Sequence, residues 1–167
     1  MMLSGDMAAT LAPDALILGI GNTLLQDDGI GVHLARALEA APGGLRLRVV
    51  DGGTVGLSLL NEIETALPLV ALDAMEMEAP PGTVCLFTGA AMDRQLLGRK
   101  TTAHEVALAD LMQAASFAGR LPTRRALLAV QPAQTTWGLA PTADVAAAMP
   151  QALQLVLDKV REWRDGA

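Results

Sequence analysis

Five side chains in this sequence have the types and placement to do chemistry: Asp27, Asp28, Asp51, Asp73 and His104. Asp27 and Asp28 are adjacent and follow the glycine-punctuated turn Gly19-Ile20-Gly21. Asp51 precedes Gly52-Gly53, Asp73 closes an apolar run over 68–72, and His104 opens a helical pattern. Carboxylate oxygens with one imidazole nitrogen make a mixed donor set suited to a divalent ion. Three protein ligands with a position left open is the catalytic pattern, in which the ion polarises a carbonyl or acidifies a bound water. The spacing is wide and no His-Glu-x-x-His segment is present, so this reading depends on the elements that carry the residues.

Other chemistries are poorly supplied. Gly19-Ile20-Gly21 begins like a dinucleotide fingerprint, but the third glycine position holds Leu24, and two carboxylates would repel a pyrophosphate. No Gly-Lys-Ser/Thr loop and no Gly-x-Ser-x-Gly elbow occur. Cys85 falls inside an apolar run and reads as an inert core thiol.

Each candidate also has a purely structural reading. An acid in the first turn of a helix is favoured by about 0.3–1 kcal/mol, and of the pair Asp27 suits the cap and Asp28 the ligand. Asp51 suits a turn ahead of Gly-Gly, and Asp73 suits an exposed strand end. His104 shares a helix face with Leu108, Leu111 and Ala115, so it points inward or along the rim. The helix dipole there predicts a neutral imidazole, the form a metal ligand needs. His33 groups with Arg36 and Ala40 and reads as solvated. Trp137 suits an anchor for a partner or a lid, and Met75 and Met77 suit packing or an adaptable binding surface.

The positioning elements follow from hydropathy period. Strands are predicted at 15–19, 45–50, 68–72, 83–87 and 125–130, and helices at 29–40, 55–64 and 105–117. A last helical region opens at Pro141-Thr142 and buries Leu153, Val156, Leu157 and Val160. Pro150 there predicts a kink or the first residue of a second helix. Residues 89–100 read as a mobile loop with a partial helical turn. Strands alternating with helices predict a three-layer α/β/α fold with a mainly parallel sheet. Ligands of such sheets bind beyond the carboxyl ends of the strands, where Asp28, Asp51 and Asp73 all fall and His104 can reach.

The 167 residues suit one domain, expected over 15–164 after a frayed leader over 1–14. Hydrophobic residues make up 51% and mean hydropathy is +0.36, which excludes a disordered chain. No apolar run reaches the roughly 18–20 residues needed to span a membrane. A net charge of −6 and 2% aromatics argue against nucleic-acid binding. A single cysteine fits a reducing cytoplasm.

The order and spacing of several segments resemble the nickel–iron hydrogenase maturation endopeptidases, over about residues 16–160. They are Gly19-Ile20-Gly21-Asn22-Thr23-Leu24-Leu25-Gln26-Asp27-Asp28-Gly29-Ile30-Gly31-Val32, Asp51-Gly52-Gly53-Thr54-Val55-Gly56, Leu72-Asp73-Ala74, and His104-Glu105-Val106-Ala107-Leu108-Ala109-Asp110-Leu111. Val130-Gln131-Pro132 followed by Gly138-Leu139 is also similar. The resemblance implies a phosphorylase/hydrolase-like fold with a twisted five-stranded sheet, one strand of it antiparallel. It implies a cytoplasmic, monomeric endopeptidase that removes the C-terminal peptide from the precursor of a hydrogenase large subunit after nickel insertion. Asp28, Asp73 and His104 fall on the family's metal-binding trio, with Asp28 and Asp51 the catalytic carboxylates. The nickel is expected to arrive with the substrate. A nickel-sensing chaperone of the same precursor, without proteolysis, is the alternative. Segment 133–137 lacks the acidic residues of common family forms, which points to tuning for a particular partner, and the leader is longer than usual.

Overall fold

The computed structural model describes residues 11–53, 56–63, 67–98 and 102–166. Five strands, β1 (Ala15–Ile20), β2 (Leu47–Gly53), β3 (Leu69–Ala74), β4 (Val84–Thr88) and β5 (Arg125–Val130), form one sheet in the order β2-β1-β3-β5-β4. All neighbours are parallel except β4, which runs antiparallel on β5 at the edge. The helices are α1 (Ile30–Ala40), a single turn α2 (Leu60–Ile63), α3 (Ala90–Leu97), α4 (Ala103–Phe117) and α5 (Ala143–Arg164).

The three layers follow from the period-2 alternation of the central strands. Ala15 and Ile17 of β1 and Val70 and Leu72 of β3 face a core closed by Leu34 and Leu38 of α1 and Val156 and Val160 of α5. Leu16, Leu18, Leu69 and Ala71 face the opposite core, closed by Ile63 of α2, Met92 and Leu96 of α3, and Leu108 and Leu111 of α4. The three-layer, mainly parallel fold with one antiparallel strand is therefore as expected.

The chain leaves β1 over one face through α1 to reach β2, then returns over the other face to reach β3 on the far side of β1. That reversal opens a crevice at the carboxyl ends of β1 and β3, the switch point at which doubly wound sheets bind ligands. α1 crosses this place closely. A Cβ on Gly31 would sit 2.0 Å from the Leu72 carbonyl oxygen, so no side chain fits there.

Some expectations are corrected. Of residues 89–100, the described 89–98 are not a loop: α3 occupies 90–97, because Met92 and Leu96 bury against the sheet and Asp93 pairs with Arg125 at 2.5 Å, and 99–100 lie outside the described residues. The helix expected at 55–64 falls partly outside the described residues. Its described part is a 3-10 turn, Leu57–Leu59, followed by α2; Ile63 alone of Leu57, Leu60 and Ile63 is fully buried. At Pro150 no second helix starts, and α5 runs through it as one helix. Pro150 lies on the solvent side, where water can satisfy the carbonyl that loses its helical donor. Of the expected leader, the described Asp14 accepts from Arg46 at 2.6 Å beside the first strand.

Candidate metal and catalytic site

Asp28, Asp73 and His104 meet at the switch point. Asp28 is carried by the 3-10 turn Gln26–Gly29 between β1 and α1. Gly21, at φ +125°, lets the chain fold so tightly that a Cβ there would lie 1.9 Å from the Asp28 carbonyl oxygen. The turn brings the Asn22 amide to donate to Asp28 Oδ2 at 3.0 Å. Asp73 is the fifth residue of β3, on the same face as Leu69 and Ala71, and is fully buried. His104 is the second residue of α4, which Thr102 caps. Thr102 Oγ1 accepts from the Glu105 amide and the Glu105 carboxylate accepts from the Thr102 amide, both at 3.2 Å.

The three side chains form a chain of hydrogen bonds with His104 at its centre. His104 Nε2 donates to Asp28 Oδ1 at 2.8 Å, and Nδ1 donates to Asp73 Oδ2 at 3.3 Å. Thr102 Oγ1 lies 3.3 Å from the same Nδ1. Burial alone disfavours the imidazolium, but hydrogen bonds and negative charge from Asp28 and Asp73 outweigh it and raise His104 to about 10. The neutral imidazole expected from the helix dipole is thus overturned by two carboxylates in contact with the ring. Burial raises Asp73 to about 6, against the opposing pull of His104. Burial also works to raise Asp28, yet the bonds from His104 and the Asn22 amide leave it below the ordinary carboxylate value.

The donor types suit a divalent ion, and Asp73 Oδ1 is buried without a hydrogen-bond partner. Oδ1 lies 3.3 Å from His104 Nδ1 but off hydrogen-bonding geometry, which leaves a lone pair for a cation. The donors are nevertheless closed on one another. Among the described residues no three His, Cys, Asp or Glu side chains already surround an ion-sized gap. Holding an ion requires the His104–Asp28 bond to open and its proton to leave.

Asp51 is not part of this chain of bonds. It lies at the carboxyl end of β2, half exposed, where Oδ1 accepts from the Gly53 amide at 3.0 Å and Oδ2 from Arg36 at 3.2 Å. It lines a cleft of about 410 Å³ with Asn22, Thr23 and Leu24, so it faces the same rim.

Asp27 has a function the sequence reading missed. It caps no helix. Its buried carboxylate accepts from the amides of Ala133, Gln134 and Thr142 at 2.9, 3.0 and 2.6 Å and from the Thr142 hydroxyl at 2.8 Å. The β1–α1 and β5–α5 loops are zipped further by the Gly138 amide on the Leu24 carbonyl and the Gln26 amide on the Gly138 carbonyl, both 2.9 Å. Gln131, also buried, clamps the β3–β4 loop through the Met77 amide at 2.7 Å and the Glu76 carboxylate at 2.9 Å. The sequence signal for Asp27 was its place in the doubled acid; its four donors lie more than a hundred residues away.

Known proteins with this sequence pattern and fold define the class. The family model HycI, hydrogenase maturation protease, matches residues 32–159. The chain belongs to the hydrogenase maturation protease family. It is 33% identical over 151 residues to the hydrogenase 2 maturation protease of Escherichia coli K12, covering 88% of this chain and 90% of that one. It is 32% identical over 157 residues to the hydrogenase expression/formation protein HupD of Rhizobium leguminosarum bv. viciae, covering 91% and 76%. The solved hydrogenase maturating endopeptidase HybD from E. coli superposes with a TM-score of 0.81 at 32% identity, over 89% of this chain and 92% of that one. The protease and endopeptidase activity of the two E. coli relatives supports peptide cleavage rather than the nickel-sensing chaperone.

Proposed function

We propose that this chain is the endopeptidase that removes the C-terminal peptide from the precursor of a nickel–iron hydrogenase large subunit, reading nickel that the precursor carries. The supporting observation is the buried Asp28–His104–Asp73 cluster at the switch point of a hydrogenase maturation protease fold. Its unpartnered Asp73 oxygen is a lone pair suited to a cation. In this reading Asp28, Asp73 and His104 bind the nickel of the precursor, and that contact holds the tail against the rim. Proximity of this kind is worth several kcal/mol of barrier. Asp51, half exposed in the adjoining cleft, acts beside Asp28 as the carboxylate that orients or deprotonates the attacking water. The site is aspartate-type, with the ion supplied by the substrate. We place the activity in the cytoplasm and in a monomer, as for the family it resembles.

The test is cleavage by the purified protein of nickel-loaded against nickel-free precursor, read as the mobility shift that marks loss of the tail. The loaded precursor alone is expected to shift, and Asp28→Asn and His104→Ala are expected to abolish the shift. Normal processing by both variants, or equal cleavage of nickel-free precursor, would sink the assignment.

A further inference from the structure

Eight large hydrophobic side chains stand exposed among the described residues, and five of them gather at one end of the molecule. Leu24 is on the β1–α1 loop, Leu57 on the turn after β2, Val106 in the first turn of α4, and Trp137 and Leu139 on the β5–α5 loop. All four elements end or begin at the carboxyl rim of the sheet, around Asp28, Asp73 and His104. Of the other three, Leu11 precedes β1 and Phe117 ends α4, both at the opposite end, and Leu97 ends α3 beside Ala109 and Met112 of α4. Trp137 and Leu139 are the most open of the five, at 74% and 72%. They are held on a fixed backbone: Gly138 between them is bonded to Leu24 and Gln26, and Asp27 holds Ala133, Gln134 and Thr142.

An apolar collar around a buried polar site is the anatomy of a protein interface, where a fixed aromatic side chain contributes most and loses little entropy on binding. We propose that the collar is the docking face for the folded body of the large-subunit precursor, with Trp137 as its principal anchor. This rests on the function proposed above. The occupant follows from charge and breadth. With 18 acidic against 12 basic residues, the chain is repelled by anionic lipid surfaces and by nucleic acid, which leaves protein. Side chains contributed from separate loops and a helix, on several sides of the site, need a partner wider than a single extended tail.

The experiment measures affinity for purified nickel-loaded precursor with its tail intact, alongside tail cleavage, for wild type, Trp137→Ala, the double variant Trp137→Ala/Leu139→Ser, and Phe117→Ser. Phe117 is 97% exposed at the opposite end of α4 and serves as the matched control. Trp137→Ala is expected to weaken binding about tenfold or more and to raise KM with kcat little changed. The double variant should be weaker still, and Phe117→Ser unchanged. A synthetic tail peptide should not displace the precursor. Wild-type affinity in the double variant, equal losses in Phe117→Ser, or full displacement by the peptide would overturn the proposal. So would Trp137-dependent binding to phosphatidylcholine or phosphatidylglycerol vesicles in place of the precursor. If wild type neither binds nor cleaves the precursor, the proposed function itself fails; if it does both and the variants match it, only the docking face fails.

Discussion

His104 is bonded on both ring nitrogens to carboxylates, and its raised pKa makes the metal-free protein pH-sensitive. The sign follows from linkage. A histidine held at about 10 when folded and near 6.5 when unfolded stabilises the fold in full below pH 6.5, and that contribution is lost as pH rises toward 10. Asp73, raised to about 6, has the same sign over a lower window, between about pH 4 and 6. Urea midpoints of metal-free protein should therefore fall between pH 7 and 10, and His104→Ala should flatten that decline. The same proton must leave before an ion can bind, so apparent nickel affinity should rise by up to about tenfold per pH unit across this range. A pH-independent affinity measured by calorimetry would contradict the proton-filled site. Asp27 gives a different prediction. Asp27→Ala strips a buried acceptor from four partly buried donors and should cost about 1–3 kcal/mol, read as a lower urea midpoint at unchanged m.

Among the elements, α1 is fitted closely to the sheet at Gly31. Gly31→Ala places a methyl against the backbone oxygens of Leu72 and Ile20, at 2.0 and 2.4 Å. It can be accommodated only by lifting α1 off β1 and β3. Destabilisation of about 1–3 kcal/mol is expected, with loss of processing beyond what stability explains, because Asp28 leads into that helix. A thermal melt and a cleavage assay on the same preparation check both. The three central strands were legible because β1, β3 and β5 carry apolar runs, 15–20, 69–72 and 126–130, buried on both faces. α3 was not, because Met92 and Leu96 are the only residues it buries fully, and what holds it is the distant Arg125. At the site, placing acids after strands sent Asp28, Asp51 and Asp73 to one rim, since topology gathers strand ends there, but it did not separate Asp51, which stays outside the cluster, and His104 entered only as a residue at the start of α4. The protonation of His104 and the clamp of Asp27 were not legible. Each depends on groups far away in sequence, at separations of 76 and 31 residues for His104 and 106 to 115 for Asp27.

Over the whole molecule, the parallel sheet is closed on both faces and ends in an antiparallel edge strand, so the open end of the sheet is where the chain can offer chemistry. A polar, hydrogen-bonded cluster with one unpartnered carboxylate oxygen sits at the bottom of that end and apolar side chains stand around it. No helix among the described residues is long and apolar enough to cross a membrane.

The zipping of the β1–α1 and β5–α5 loops makes them one inherited part rather than two. A chimera that received only residues 131–142 from a relative serving another hydrogenase would meet foreign partners at Leu24, Gln26 and Asp27, and should express poorly or stay inactive. Moving 22–28 and 131–142 together should carry the donor's choice of precursor with it. Specificity in this fold is then exchangeable between relatives only as a paired cassette, spaced more than a hundred residues apart in the gene.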